Sequence, residues 1–210
     1  MKKVLLLLCV VFVFMVSVCF AFERPRWVGQ PIYVYVPQYG QMSTLMKQAF
    51  MAWEQKSKST VRFSFVDSPS NANIEVEFVD FVANCNEANA VGCTEMMTRG
   101  GNYYKAFVTI GTKQYVRKFE GGQYIRKIVT RPKENIYGVM LHEAGHAIGL
   151  GHSDVPKSIM YPYDLDTMQQ YLTNEDLKLL YKCELTWENR KSNRNSQKNI
   201  RSMSKFDIVE

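Results

Sequence analysis

All three histidines of this 210-residue chain lie in one short segment, as His142, His146 and His152. With Glu143 and Gly149 they form the pattern H-E-x-x-H-x-x-G-x-x-H. Residues four apart share one face of an α-helix, so His142 and His146 can direct their imidazoles at one point. Gly149 accepts a positive φ, and a turn there would bring His152 back to the same point. The spacing therefore predicts a metal site with three histidine ligands.

Three neutral imidazoles suit Zn²⁺ and leave its fourth position open for water, as in catalytic zinc sites. Zinc lowers the pKa of a bound water, and a neighbouring carboxylate can take the proton that is released. Glu143 adjoins the first predicted ligand and is the candidate general base. One alternative is that the histidines merely pack in a helix, but packing would not require this spacing. The other is a zinc site without catalysis, which would not require Glu143.

The motif resembles that of the metzincin metallopeptidases, in which a methionine-containing turn follows the third histidine. Here Met160-Tyr161-Pro162 follows, and Met160 stands where that family places a methionine under the zinc-binding imidazoles. Ser153, directly after the third histidine, resembles the matrixin subfamily, as does the Met160 turn. The tyrosine zinc ligand of astacins and serralysins is not matched, because Pro162 occupies that position.

The resemblance implies a zinc-dependent endopeptidase that acts on proteins or peptides. Matrixins commonly carry a second, structural zinc held by further histidines. No histidine lies upstream here, so a single, catalytic zinc is predicted. No calcium site is assigned. In Pro162-Tyr163-Asp164 the tyrosine directly follows the proline, whereas the family has Pro-x-Tyr. In the family this segment forms the wall of the specificity pocket, so the difference affects the shape of that pocket. The alternative functions are a catalytically silent, zinc-stabilised binding module and a peptidase of another metzincin subfamily.

Residues 1–21 are expected to be a signal peptide. Lys2 and Lys3 precede a mostly apolar run, Val4 to Phe22, and small residues favour cleavage after Ala21. The protein is therefore expected to be secreted, periplasmic or attached to the cell surface. An uncleaved membrane anchor and a lipoprotein acylated at Cys19 are the alternatives.

One catalytic domain is expected over residues 22–185, because 46% of the chain is hydrophobic and 13% is aromatic. Residues 186–210 form a basic tail that is expected to be disordered, with weak contact to an anionic surface as the alternative. The formal charge of +6 mostly reflects this tail and the N-terminal lysines, and no nucleic-acid motif accompanies it. A monomer is expected.

The predicted fold class is α/β (α+β), a zincin fold whose twisted mixed sheet carries an active-site helix and a C-terminal helix. Alternating apolar residues predict strands at Pro31–Pro37, Val61–Val66, Ile74–Val79 and Tyr103–Ile110, and helical spacing predicts a helix over Gln41–Ser57. Strand, helix, strand, strand is also the order in which a matrixin-like domain begins. Two parallel strands joined by a crossover helix fit an α/β sheet.

Residues 85–102 are predicted to be a loop, which Cys85 and Cys93 could close by a disulfide in an oxidising compartment. By the resemblance, an antiparallel edge strand binds the substrate backbone, and Ala106–Ile110 is the candidate. Residues 115–119 and 124–129 flank a glycine pair and are predicted to form a hairpin.

The active-site helix is predicted to run from an N-cap at Asn135 to about Gly149, with packing by Val139, Met140, Ala144 and Ile148. A last helix is predicted over about residues 174–184, and Thr173 is its expected N-cap.

Overall fold

The computed structural model describes residues 25–83, 85, 90–162 and 170–181. The predicted signal segment, the basic tail and the Tyr163-Asp164 pair all lie outside the described residues. Within the described ranges, no helix combines the length and apolar character needed to cross a bilayer. In chain order the elements are β1 (Ile32–Tyr35), α1 (Gln41–Lys56), β2 (Phe63–Val66), a 3₁₀ turn (Pro69–Asn71), β3 (Ile74–Val79), β4 (Gly92–Arg99), β5 (Asn102–Gly111), β6 (Lys113–Glu120), β7 (Gln123–Thr130), α2 (Lys133–Ala147) and α3 (174–181).

The main sheet has five strands in the order β2-β1-β3-β5-β4. The first four are mutually parallel, and β4 pairs antiparallel with β5 at one edge. Helix α1 makes the crossover between the parallel neighbours β1 and β2, since parallel strands cannot be joined by a tight turn. Strands β6 and β7 form a separate two-stranded sheet. This mixed sheet with its helices confirms the predicted fold class.

Two predictions about the edge of the sheet are wrong. Residues 85–102 are not all loop, because Gly92–Arg99 forms β4. The edge strand is therefore β4 and not Ala106–Ile110, which lies in β5 between β3 and β4. The sequence of β4, GCTEMMTR, lacks the apolar alternation of the inner strands. No residue of this edge strand is fully buried, so no position requires an apolar side chain.

The core lies between the sheet and the two long helices. Helix α1 buries Met46, Phe50 and Trp53, which recur at helical spacing. The indole Nε1 of Trp53 donates a hydrogen bond of 2.9 Å to the carbonyl oxygen of Leu141 in α2. This buried bond fixes α1 directly against the helix that carries the histidine motif.

Helix α2 begins two residues before the predicted N-cap, Asn135. Its N-cap is Pro132, whose carbonyl oxygen accepts the first helical hydrogen bond, from Ile136 N at 3.1 Å. The proline ring fixes φ near the −54° observed here, and no side chain of this residue caps the helix. The predicted packing residues Val139, Met140 and Ala144 are buried, and Ile148 is half-buried just beyond the helix.

The disulfide that the sequence left open is formed between Cys85 and Cys93. The predicted cap of the last helix is confirmed as well. Thr173 Oγ1 accepts from Asp176 N at 3.4 Å, and Thr173 N donates to Asp176 Oδ2 at 2.6 Å, which is a reciprocal capping arrangement.

Candidate metal centre and active site

The three histidines converge as their spacing predicted. One ring nitrogen from each of His142, His146 and His152 lies within 4.8 Å of the others. His142 and His146 come from successive turns of α2, and their Nε2 atoms are 2.9 Å apart. Among the described residues, this is the group of histidine, cysteine and acidic side chains whose donor atoms could hold a metal ion.

The backbone orients the first two imidazoles. Nδ1 of His142 lies 2.6 Å from the carbonyl oxygen of Ile159, and Nδ1 of His146 lies 2.8 Å from that of Leu150. A carbonyl oxygen can only accept, so we assign the ring proton to Nδ1 in both residues. In the neutral rings the two Nε2 lone pairs then face each other, which is unfavourable unless a cation lies between them. The donor set therefore fits zinc.

His142 is suited to this role by its burial. Removal of the ring from water, reinforced by the nearby charges of His146 and His152, lowers the pKa of His142 to about 4. The imidazole is consequently neutral at pH 7, and a metal need not displace a proton from it.

The third histidine depends on the turn after α2. Gly149 has a φ of +100°, and its N–H donates to the carbonyl oxygen of His146 at 2.8 Å. A side chain on Gly149 would approach the ring of Tyr103 to 3.0 Å. The predicted glycine turn is confirmed, and it returns the chain so that His152 joins the other two rings.

Glu143 is buried against the edge strand. Thr94 Oγ1 donates to Glu143 Oε2 at 2.6 Å and to the carbonyl oxygen of the same residue at 3.2 Å. Gly92 lies beside the carboxylate, and a Cβ there would come within 2.6 Å of Glu143 Cγ. The sequence did not identify Thr94 or Gly92, because both lie in the segment predicted to be a loop.

The comparison with known families agrees with this geometry. The family model described as Matrixin matches residues 34–182. The chain belongs to the matrixin family. This confirms the resemblance seen in the histidine motif, and it supports zinc metallopeptidase chemistry in general.

Two curated matrixin relatives show the extent of the similarity. Matrix metalloproteinase-25 of Homo sapiens is 30% identical over 146 residues, which cover 60% of this chain and 23% of that protein. Matrilysin of Rattus norvegicus is 49% identical over 45 residues, which cover 20% of this chain and 17% of that protein. The chain thus spans less than a quarter of the length of each of these relatives.

In this matrixin, Met160 packs against α2, and its place under the imidazoles stays a prediction. The side chain is fully buried, and its sulfur would collide with a Cβ at Gly145. The same Cβ would approach Trp53 Cζ2 to 2.9 Å. Because Gly145 has no side chain, Met160 and Trp53 can pack closely against α2 at this position. Gly145 occupies a position of the histidine pattern at which any residue is allowed. The pattern therefore does not predict a glycine there.

A buried carboxylate links the methionine turn of the matrixin domain to α3. Asp176 Oδ1 accepts from Ser158 Oγ at 2.5 Å, and Ser158 Oγ in turn accepts from Met160 N at 3.0 Å. Because Asp176 also caps α3 through Thr173, one side chain fixes both the last helix and the turn beneath the histidines. The Thr-x-x-Asp pattern predicts the cap, but not this second contact.

Proposed function

We propose that this chain is an exported zinc-dependent metalloendopeptidase that hydrolyses peptide bonds. The observation that carries the proposal is the pair of facing Nε2 atoms of His142 and His146, with Glu143 buried beside them. Family membership supports the reaction class, and the residue roles below are our assignment.

His142, His146 and His152 are assigned as the ligands of one zinc ion. When bound, zinc supplies a Lewis acid that acidifies water and polarises the peptide carbonyl. Glu143 takes the proton of the attacking water and delivers it to the nitrogen of the leaving amine. Thr94 Oγ1 positions this carboxylate through its hydrogen bond to Oε2.

Strand β4 is proposed to bind the substrate in place of Ala106–Ile110. It is the antiparallel edge of the five-stranded sheet, and its Gly92 and Thr94 contact the proposed base. An extended peptide can add to such an edge through backbone hydrogen bonds. The substrate class is therefore a protein or peptide in extended conformation.

Replacement of the proposed base tests the mechanism. Glu143→Ala is expected to retain zinc, measured by elemental mass spectrometry, and to cleave a quenched peptide library about 10²–10⁴-fold more slowly. Glu134→Ala is the matched control, since Glu134 is an exposed glutamate in the first turn of the same helix. Cleavage by Glu143→Ala at the parent rate would show that the assignment is wrong. Zinc binding without any cleavage by the parent would support the binding module instead.

Export and domain organisation are part of the proposal. We assign residues 1–21 to a signal peptide cleaved after Ala21, 22–185 to the catalytic domain and 186–210 to a tail. Mass spectrometry of the exported protein would give its N-terminus. A mature chain that begins at Cys19 and carries the added mass of a lipid would identify a lipoprotein. A chain that still begins at residue 1 would identify an uncleaved membrane anchor.

A further inference from the structure

The hairpin of β6 and β7 is an addition to the main sheet that the proposed peptidase chemistry does not use. Its base is fastened by two backbone hydrogen bonds of 2.8 Å, Thr112 N to Val79 O and Arg131 N to Thr112 O. Lys113 also forms an ion pair of 2.7 Å with Asp80. Beyond this base the hairpin strands pair with each other as a separate sheet.

One face of the hairpin combines aromatic and basic side chains. The register places Tyr115 opposite Ile128, Arg117 opposite Arg126, and Phe119 opposite Tyr124. Because side chains alternate along a strand, these residues share one face. All six are exposed, and we call them the aromatic-basic face: Tyr115, Arg117, Phe119, Tyr124, Arg126 and Ile128.

The tip of this face is apolar. Phe119 and Tyr124 flank the turn at Gly121 and Gly122, and they are 61% and 75% exposed. Their rings contact each other edge to face, with centroids 5.1 Å apart. Large aromatic side chains this exposed at the end of a ribbon mark a surface that can be buried by a partner.

The charge on the face is positive and is not balanced within the hairpin. Arg117 and Arg126 lie directly opposite each other, an arrangement of like charges that destabilises a strand pair. The one acidic residue in the hairpin sequence, Glu120, points to the other face, where it pairs with Lys118 and Lys127. The arginine pair therefore favours a negatively charged partner.

The Tyr115 ring is already stacked and is poorly placed to take up a nucleobase or sugar. The Tyr115 ring stacks on Phe81 at 4.9 Å, and the Arg126 guanidinium lies over it at 3.6 Å. The rings of Phe119 and Tyr124 also contact each other. The exposed aromatic surface beside two cations matches the boundary between lipid headgroups and acyl chains.

We propose that the aromatic-basic face docks the protein on membranes that contain anionic phospholipids. Phe119 and Tyr124 enter the headgroup region, while Arg117 and Arg126 lie near the lipid phosphates. The attachment is peripheral and reversible, and it places a peptidase of this family at a membrane surface.

Vesicle sedimentation with the purified protein tests the proposal. Binding is expected to vesicles of equal parts phosphatidylcholine and phosphatidylglycerol, and to be weak with phosphatidylcholine alone. Arg117→Ser/Arg126→Ser should weaken binding about 30-fold, since each basic residue near such a surface contributes roughly a factor of five. Phe119→Ser/Tyr124→Ser should also weaken binding, and this loss should persist in high salt, which screens only the charges.

The matched control is Lys118→Ser/Lys127→Ser, which removes the same charge from the opposite face of the same hairpin. It should bind nearly as well as the parent. Equal weakening by both double variants, or unchanged binding by the arginine and aromatic variants, would overturn the proposal. Binding to sulfated polysaccharide or single-stranded DNA through this face, without vesicle binding, would also overturn it. Circular dichroism establishes that each variant is folded.

Discussion

The hydroxyl of Thr94, on the edge strand, donates a hydrogen bond of 2.6 Å to Oε2 of Glu143, on the histidine-bearing helix. The two residues are 49 positions apart in the chain. Their contact joins the strand proposed to bind substrate to the side chain proposed to move the proton.

Thr94→Val tests this contact. The variant removes a hydrogen bond to a charged acceptor, so kcat should fall about tenfold while KM and zinc content stay nearly unchanged. Steady-state kinetics on one peptide substrate measures the effect. Thr130→Val, the same replacement at an exposed hairpin position, should have the parent kcat. An unaltered kcat in Thr94→Val would remove Thr94 from the proposed mechanism.

Gly145→Ala should destabilise the protein although alanine is the better helix former. The helical gain is about 1 kcal/mol. Against it, the new Cβ meets Met160 and Trp53, which are both fully buried, and overpacking of this kind costs about 1–3 kcal/mol. Urea unfolding should show a net loss, accompanied by weaker zinc retention. Gly151→Ala, where a Cβ meets nothing within 4 Å, should change stability by less than about 0.5 kcal/mol.

The metal-free protein should lose stability between pH 6.5 and pH 4. The folded pKa of His142, about 4, lies below its ordinary value of 6.5, so the unfolded chain binds the extra proton in this window. The free energy of unfolding should therefore fall as the pH falls, by up to about 3 kcal/mol from this residue. Urea titrations at several pH values measure it. If His142→Asn shows the same pH slope, another group is responsible.

Reduction of the Cys85–Cys93 disulfide should lower stability and activity together. The bond closes a short loop, whose loss corresponds to about 2–3 kcal/mol in the chain-entropy description. Cys93 also lies between Gly92 and Thr94, and both of these residues contact Glu143. A phosphine reductant, chosen because thiols bind zinc, should shift the unfolding midpoint of the parent. Cys85→Ser/Cys93→Ser should start at the lower midpoint and not respond further.

Patterns confined to a few residues predicted their local structure well. The helical spacing in α1, the alternation in β3, the Gly121-Gly122 hairpin and the Thr173 cap all agree with the structure. The N-cap of α2 is Pro132, three residues before the predicted Asn135, and it makes no side-chain hydrogen bond. The edge strand β4 was missed because none of its residues is fully buried, so its sequence shows no regular apolar alternation.

The sequence by itself determined that three histidines would meet and that a methionine turn would follow them. Helical periodicity and a glycine turn are local properties, so the segment from His142 to His152 carries this information alone. Only the tertiary structure decided what surrounds Glu143 and where Met160 lies. Contacts such as Thr94 to Glu143, or Met160 against Gly145, depend on how sheet and helices pack, and no spacing within one segment encodes them.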